Sequence, residues 1–150
     1  MSQLTLWKTD ASPPANAVRA LADILGVKLD VIDVDFANME HKSPELLKMN
    51  PLGTIPVLKD GDFILTDSHA QMKYLLSKFG AEQSEKLYPS ELRARALVDQ
   101  SLFLDAAVLF IRLKVVAVSI IATLTYLWCH TGIRRYTSLD ISAEIQSQLH

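Results

Sequence analysis

Cysteine is almost absent from this chain of 150 residues: Cys129 stands alone. That excludes an internal disulfide framework and any Cys-x-x-Cys exchange chemistry, and it fits a reducing compartment. Charge of one sign is missing too. Fifteen Lys and Arg face seventeen Asp and Glu, a net charge of −2, and no basic run occurs. A nucleic-acid partner is therefore not expected. The first residues lack a basic segment followed by an apolar one, so no secretory signal is read and a cytoplasmic location is expected. No low-complexity tract or internal repeat is present. What the chain does have is apolar content, 49% of residues, too much for disorder at so small a net charge.

Two unlike stretches follow one another. Met1 to about Lys114 holds thirteen of the fifteen basic and fifteen of the seventeen acidic residues. Beyond it, Val115 to Trp128 carries no charge at all before the chain turns polar again. As a helix those fourteen residues span about 21 Å, short of the roughly 30 Å hydrocarbon core, so membrane association is not expected.

The first stretch is well punctuated. Leu4 to Trp7 alternates like a strand. Ser12-Pro13-Pro14 opens a helix, with proline where its missing N–H costs nothing. Ala17, Val18, Leu21, Ala22 and Leu25 recur at helical spacing, and Gly26 stops it. Leu29 to Val34 reads as a second strand, parallel to the first because a helix intervenes. Ser43-Pro44-Glu45 starts a short helix that Asn50-Pro51 ends. Ile55 to Leu58, an Asp60-Gly61 turn and Phe63 to Leu65 form a hairpin. Asp67-Ser68 caps a further helix, with Ala70, Tyr74, Leu75 and Phe79 as its buried side and Gly80 closing it. Ala81 to Pro89 reads as a linker, and Ser90 as the cap of a long helix reaching Arg112. The order βαβαββα is the α/β thioredoxin-like layout, followed by a partial all-α domain. The domains expected are 1–80, a linker 81–89, and 90–150, with 115–150 atypical.

Where that fold carries its reactive group, after the first strand, stands Ser12. A hydroxyl at a helix N-terminus can donate to an anion, or it simply caps the helix. Ile55-Pro56, at the start of a strand, is where this fold uses a cis bond that frees the Ile55 backbone for an extended peptide. An ordinary trans proline is the alternative. Asp67-Ser68 can hold a zwitterionic head group, the hydroxyl and helix N–H groups taking the carboxylate and Asp67 the ammonium. A plain N-cap uses the same residues. His41 can donate to a carboxylate, or be a solvated loop histidine.

Taken together, Ser12-Pro-Pro14, Glu40-His41-Lys-Ser43-Pro-Glu45, Asn50-Pro51-Leu-Gly-Thr54-Ile-Pro56-Val-Leu58 and Asp67-Ser68-His69-Ala70 resemble the N-terminal domain of cytosolic glutathione transferases. The likeness is to the insect delta and epsilon classes, nearer to epsilon. Leu87-Tyr88-Pro89 and Val98 to Asp105 extend it to about Lys114. The resemblance implies an enzyme that adds glutathione, as co-substrate and without a metal, to small hydrophobic electrophiles. In it Ser12 would stabilise the thiolate. His41, Gly53, Thr54, Ile55, Pro56, Asp67, Ser68 and His69 would bind glutathione, and Pro14, Val108 and Arg112 would face the electrophile. It also implies a homodimer, through His69, Met72, Lys73 and the segment 93–103.

Two departures stand out. Gly53 occupies a position where the family often has histidine, and the likeness ends after Lys114, where a full member continues through several more helices. An altered C-terminus leaving an apolar surface is the expected consequence. A non-catalytic module that holds glutathione or pairs with a full-length partner, and an interaction domain of the kind appended to other proteins, are the rival readings.

Overall fold

The computed structural model describes residues 3–130. They fall in two compact units that divide between Leu102 and Phe103.

In the first unit, β1 (Leu4–Lys8) alternates between a buried face, Leu4, Leu6 and Lys8, and a half-buried one, Thr5 and Trp7. It is flanked by β2 (Asp30–Asp33) in parallel and by β3 (Val57–Asp60) in antiparallel register. β4 (Phe63–Leu65) completes the order β2-β1-β3-β4. The crossover is α1 (Pro13–Ile24), whose Ala15, Val18, Leu21 and Ala22 are buried. Gly26 follows it with φ +65°, a left-handed conformation that glycine adopts at little cost. A short 3-10 turn (Glu40–Lys42) and α2 (Pro44–Met49) connect β2 to β3. The helix α3 (Ser68–Phe79) returns over the sheet, where Leu75 and Leu76 join Leu4, Leu6, Val18, Leu21, Ala22 and Leu58 in one core. Full burial of a side chain such as Leu6, Leu58 or Leu75 contributes about 2 kcal/mol. This is the expected thioredoxin-like arrangement.

Three expectations change. The buried residues of α3 are Ser68, Gln71, Leu75 and Leu76; of the four expected, only Leu75 is fully buried, while Ala70, Tyr74 and Phe79 are half-buried. Gly80 does close α3, its N–H donating to the Leu76 carbonyl, but not in the left-handed region. Its φ is −70°, and Ala81 takes φ +38° instead. Glycine is needed at 80 for space, because a Cβ there would strike the Leu76 carbonyl and lie 3.0 Å from Ser84 Cβ. The segment read as a linker contains a helix, α4 (Ala81–Leu87).

The helix α5 (Leu92–Leu104) is capped by Glu91, whose carboxylate accepts from the Arg93 and Ala94 N–H groups at 2.9 and 2.7 Å. Ser90 is not the cap, since its N–H and hydroxyl both donate to Glu85, at 2.8 and 2.7 Å. The boundary between units falls at Leu102/Phe103 and not within 81–89. The reason is a knot of side chains: Lys73 of α3 and Tyr88 both bond Asp99 of α5, at 2.8 and 3.0 Å.

In the second unit one π turn (Asp105–Leu109) leads into α6 (Phe110–His130). The apolar run Val115 to Trp128 thus belongs to a helix of 21 residues that also carries Arg112 and Lys114. Every side chain from Ile111 to Tyr126 is exposed. Among the described residues one helical stretch, Leu92–Tyr126, is long and apolar enough to cross a membrane, with a mean hydropathy of 2.2 over its most apolar 18 residues. The expectation for 115–150 reaches beyond the described residues from 131 onward.

Candidate functional site

Strand directions bring the expected site residues to one end of the sheet. β1 runs towards Ser12, and its last turn of ladder pairs Trp7 with Val57, the first residue of β3. Ile55 and Pro56 immediately precede that pair. On the other side of β3, Leu58 pairs with Leu65 at the end of β4, two residues before Asp67. β2 is parallel to β1, with Asp33 beside Lys8, and leads towards His41. Four segments distant in sequence therefore open at the same sheet end.

Ser12 caps α1. Its Oγ accepts from the Ala15 N–H at 3.4 Å, while its own N–H donates to the Thr9 carbonyl at 3.0 Å. Capping uses a lone pair of the oxygen and leaves the hydroxyl hydrogen to be donated elsewhere, so the two readings of Ser12 are compatible. Pro14 sits in the same first turn. The approach to Ser12 is held by Lys8, whose ammonium, at a side-chain exposure of 5%, pairs with Asp10 at 2.6 Å and with Asp33. Those two carboxylates raise the Lys8 pKa, and in return the Lys8 ammonium lowers that of Asp10. Arg19 also reaches Asp10, at 3.2 Å.

Ile55-Pro56 is a cis peptide bond. Pro56 is buried and Ile55 half-buried, and the β1–β3 register starts only at Val57. Asp67 caps α3, its Oδ1 accepting from the Ala70 N–H at 2.9 Å, with Ser68 buried behind it. His41 lies flat on Phe36, ring centroids 4.0 Å apart at 9°. Its Nδ1 is buried and has no hydrogen-bond partner among the described residues. Thr54 is exposed and His69 half-buried. Val108 and Arg112 belong to the second unit, the first half-buried and the second exposed.

Three residues at this end escape a reading of the sequence. Asn50, only 2% exposed, does more than end α2: its Nδ2 donates to the Thr54 carbonyl at 2.7 Å and its Oδ1 accepts from the Leu52 N–H at 3.2 Å, which shapes the loop 51–54. Lys42 donates to the Leu52 carbonyl at 3.0 Å and lies over Gly53. Gln71 is wholly buried and donates to the Pro56 and Leu65 carbonyls. The only signals for them were a polar residue on an apolar helix side and a lysine beside a histidine. Among the described residues no group of three or more His, Cys, Asp or Glu could hold a metal ion.

The first unit is thus a thioredoxin-like domain with a serine, not a cysteine, after β1, and with a capped α3 and a cis proline at the same sheet end. Comparison with known proteins is more specific. Residues 2–77 match the family model described as glutathione S-transferase, N-terminal domain, and the chain belongs to that family. It is 47% identical over 112 residues to glutathione S-transferase 1 of Manduca sexta, covering 74% of this chain and 51% of the relative. A glutathione transferase of Bombyx mori superposes with a TM-score of 0.70 at 34% identity, covering 91% of this chain and 57% of the other. A glutathione transferase homologue from Drosophila mojavensis, solved with bound glutathione, gives 0.70 at 35% identity, covering 98% and 63%. The chain spans about half the length of the curated relatives it matches.

Proposed function

We propose that this chain binds reduced glutathione at the open end of its sheet and keeps the sulfur anionic for attack on small hydrophobic electrophiles. The observation that carries this reading is the convergence of Ser12, cis Ile55-Pro56 and Asp67-Ser68 at that end. In it the Ile55 backbone pairs with the cysteinyl unit, and Asp67 and Ser68 hold the γ-glutamyl end with help from His69. His41 and Thr54 lie towards the glycyl carboxylate. Lys42, lying over Gly53, supplies there the cation that a histidine at position 53 would otherwise have offered.

A free thiol with a pKa near 8.5 is only about 3% ionised at pH 7. A fall of about two pKa units makes it mostly thiolate and takes about 2.7 kcal/mol of preferential stabilisation. One hydrogen bond to a charged acceptor, together with the N-terminus of α1, is of that size. Ser12 then acts as an anion stabiliser. The thiolate forms the new carbon–sulfur bond, and the leaving group departs with the electron pair of the bond it breaks. Pro14 is the residue of the first unit that faces the electrophile in this reading, which places the enzyme in the cytoplasm as a homodimer.

The test is glutathione-dependent turnover of a generic aromatic halide. Turnover that Ser12→Ala abolishes, with glutathione still bound, supports the enzyme. Glutathione binding without turnover favours a second reading, a non-catalytic binding or dimer-partner module, which the exposed α6 supports. A chain that binds no glutathione overturns both.

A further inference from the structure

Gln71 lies in the first turns of α3 with no exposed surface. Its Nε2 donates to the Pro56 carbonyl at 3.1 Å and to the Leu65 carbonyl at 2.8 Å. Both partners are carbonyls, which only accept, so the orientation of the amide is settled by chemistry. Its Oε1 is left buried with no partner among the described residues. Such an orphan acceptor is a cost that an aliphatic side chain of the same size would avoid, so packing alone does not call for glutamine here.

The position of its two acceptors gives the reason. The β3–β4 ladder ends at Leu58 opposite Leu65, and beyond it the hairpin opens. One arm leads through Pro56 to Ile55, the other through Leu65 to Asp67 and Ser68. Gln71 bridges the arms just where ladder hydrogen bonds stop, one amide group standing in for the next rung. We infer that Gln71 is a positioning residue that sets the separation of the two arms, and thereby matches the Ile55 backbone and the Asp67-Ser68 pair to the length of one extended tripeptide. This rests on the glutathione reading above. With no exposed surface, Gln71 would act through the two arms and not by touching the tripeptide.

The experiment compares two thiols on the full chain by calorimetry: reduced glutathione, which needs both arms, and cysteinylglycine, which lacks the γ-glutamyl end and needs one. Gln71→Met keeps length and volume and removes the donor. The expected result is a glutathione Kd raised roughly tenfold, the size of one or two lost hydrogen bonds, with cysteinylglycine changed less than twofold. Equal weakening of both thiols, or a glutathione Kd within twofold of wild type, overturns the inference. Should Gln71→Met not fold, Gln71→Glu keeps the length and, held neutral by burial, one donor. It is expected to show the same selective loss at about half the factor, and a loss shared equally by both thiols overturns the inference. A wild-type chain that binds neither thiol overturns the glutathione reading, and this inference with it. Normal wild-type binding with an unchanged Gln71→Met overturns this one alone.

Discussion

The side chain of Lys42 occupies the space that a side chain on residue 53 would need. A Cβ built on Gly53 lies 2.5 Å from Lys42 Nζ, 2.7 Å from its Cδ and 3.1 Å from Leu47 Cδ2. Gly53 also has φ +58°. Histidine at this position would be strained by the backbone conformation, and the flexible Lys42 side chain that crosses it would have to move aside.

Gly53→Ala should therefore lower stability by about 1–2 kcal/mol, the ordinary cost of a left-handed non-glycine residue plus a crowded contact. Because Lys42 is the flexible partner in that contact, Lys42→Ala should relieve part of the loss. The double variant should be more stable than the sum of the two single effects predicts. Urea titration of the four proteins measures this. Strict additivity would mean that the lysine simply swings away.

On the glutathione reading, Ser12→Ala removes one atom with two uses. Loss of the cap should lower stability by about 1 kcal/mol or less, since the Oγ to Ala15 N–H bond is long at 3.4 Å. Loss of the donated hydrogen should cost far more in rate, about 100-fold in kcat, as for other donors aimed at a reacting anion. The glutathione KM should hardly move. Ser12→Thr, which keeps the hydroxyl, should restore much of the rate. Turnover and thermal unfolding, measured on the same samples, separate the two effects.

The strand and helix order was open to reading because each turn carries its own chemistry: Ser12-Pro13, Ser43-Pro44, Asp60-Gly61 and Asp67-Ser68 mark their boundaries without help from the rest of the chain. The candidate residues Ser12, Asp67 and Ser68 stand at those boundaries, which is why the sequence could single them out. Gln71 was not. Its two acceptors lie 15 and 6 residues away, and a glutamine at a buried helical position looks like a break in the apolar pattern, which shifts the assigned face of α3 by one residue. Asn50 read only as a helix stop, although its side chain organises four following residues. α4 was hidden because Ala81 to Leu87 has too few apolar residues to show a period.

The Asp99 carboxyl titrates below the ordinary carboxylate range, first because Lys73 donates to it and also because Tyr88 does. A carboxylate stabilised in the folded chain adds stability that is fully present above its unfolded value, near 3.9, and is lost as pH falls through the lower folded value. Wild type should thus lose stability more steeply than Asp99→Asn as pH falls below about 4. Lys73 is raised by the same pair, so its share is present below its unfolded value, near 10.4, and disappears as pH rises through the folded one. Unfolding midpoints collected from pH 2 to 11 should show both limbs flattened in Asp99→Asn. Parallel curves for the two proteins would mean that the pair does not hold α3 to α5.

Lys8 and its two carboxylates should respond unequally to mutation. The ammonium is buried, with its side chain 5% exposed, whereas Asp10 and Asp33 are 83% and 74% exposed. Lys8→Met leaves two carboxylates that water can solvate and puts an apolar chain on the core face of β1. Its cost should be small. Asp10→Ala with Asp33→Ala leaves the ammonium without its two counter-charges and should cost more. The order of stability should then be wild type, Lys8→Met, and last the double alanine variant, measured by urea unfolding at pH 7. Asp10 also accepts from Arg19, and its backbone carbonyl accepts from the Asn16 side chain at 2.9 Å. The double alanine variant should therefore loosen the turn that leads into Ser12 and reduce turnover beyond what unfolding explains. If the double variant proved as stable as Lys8→Met, the ammonium would have to reach water by another route, and the charge cluster would play no part in holding Ser12.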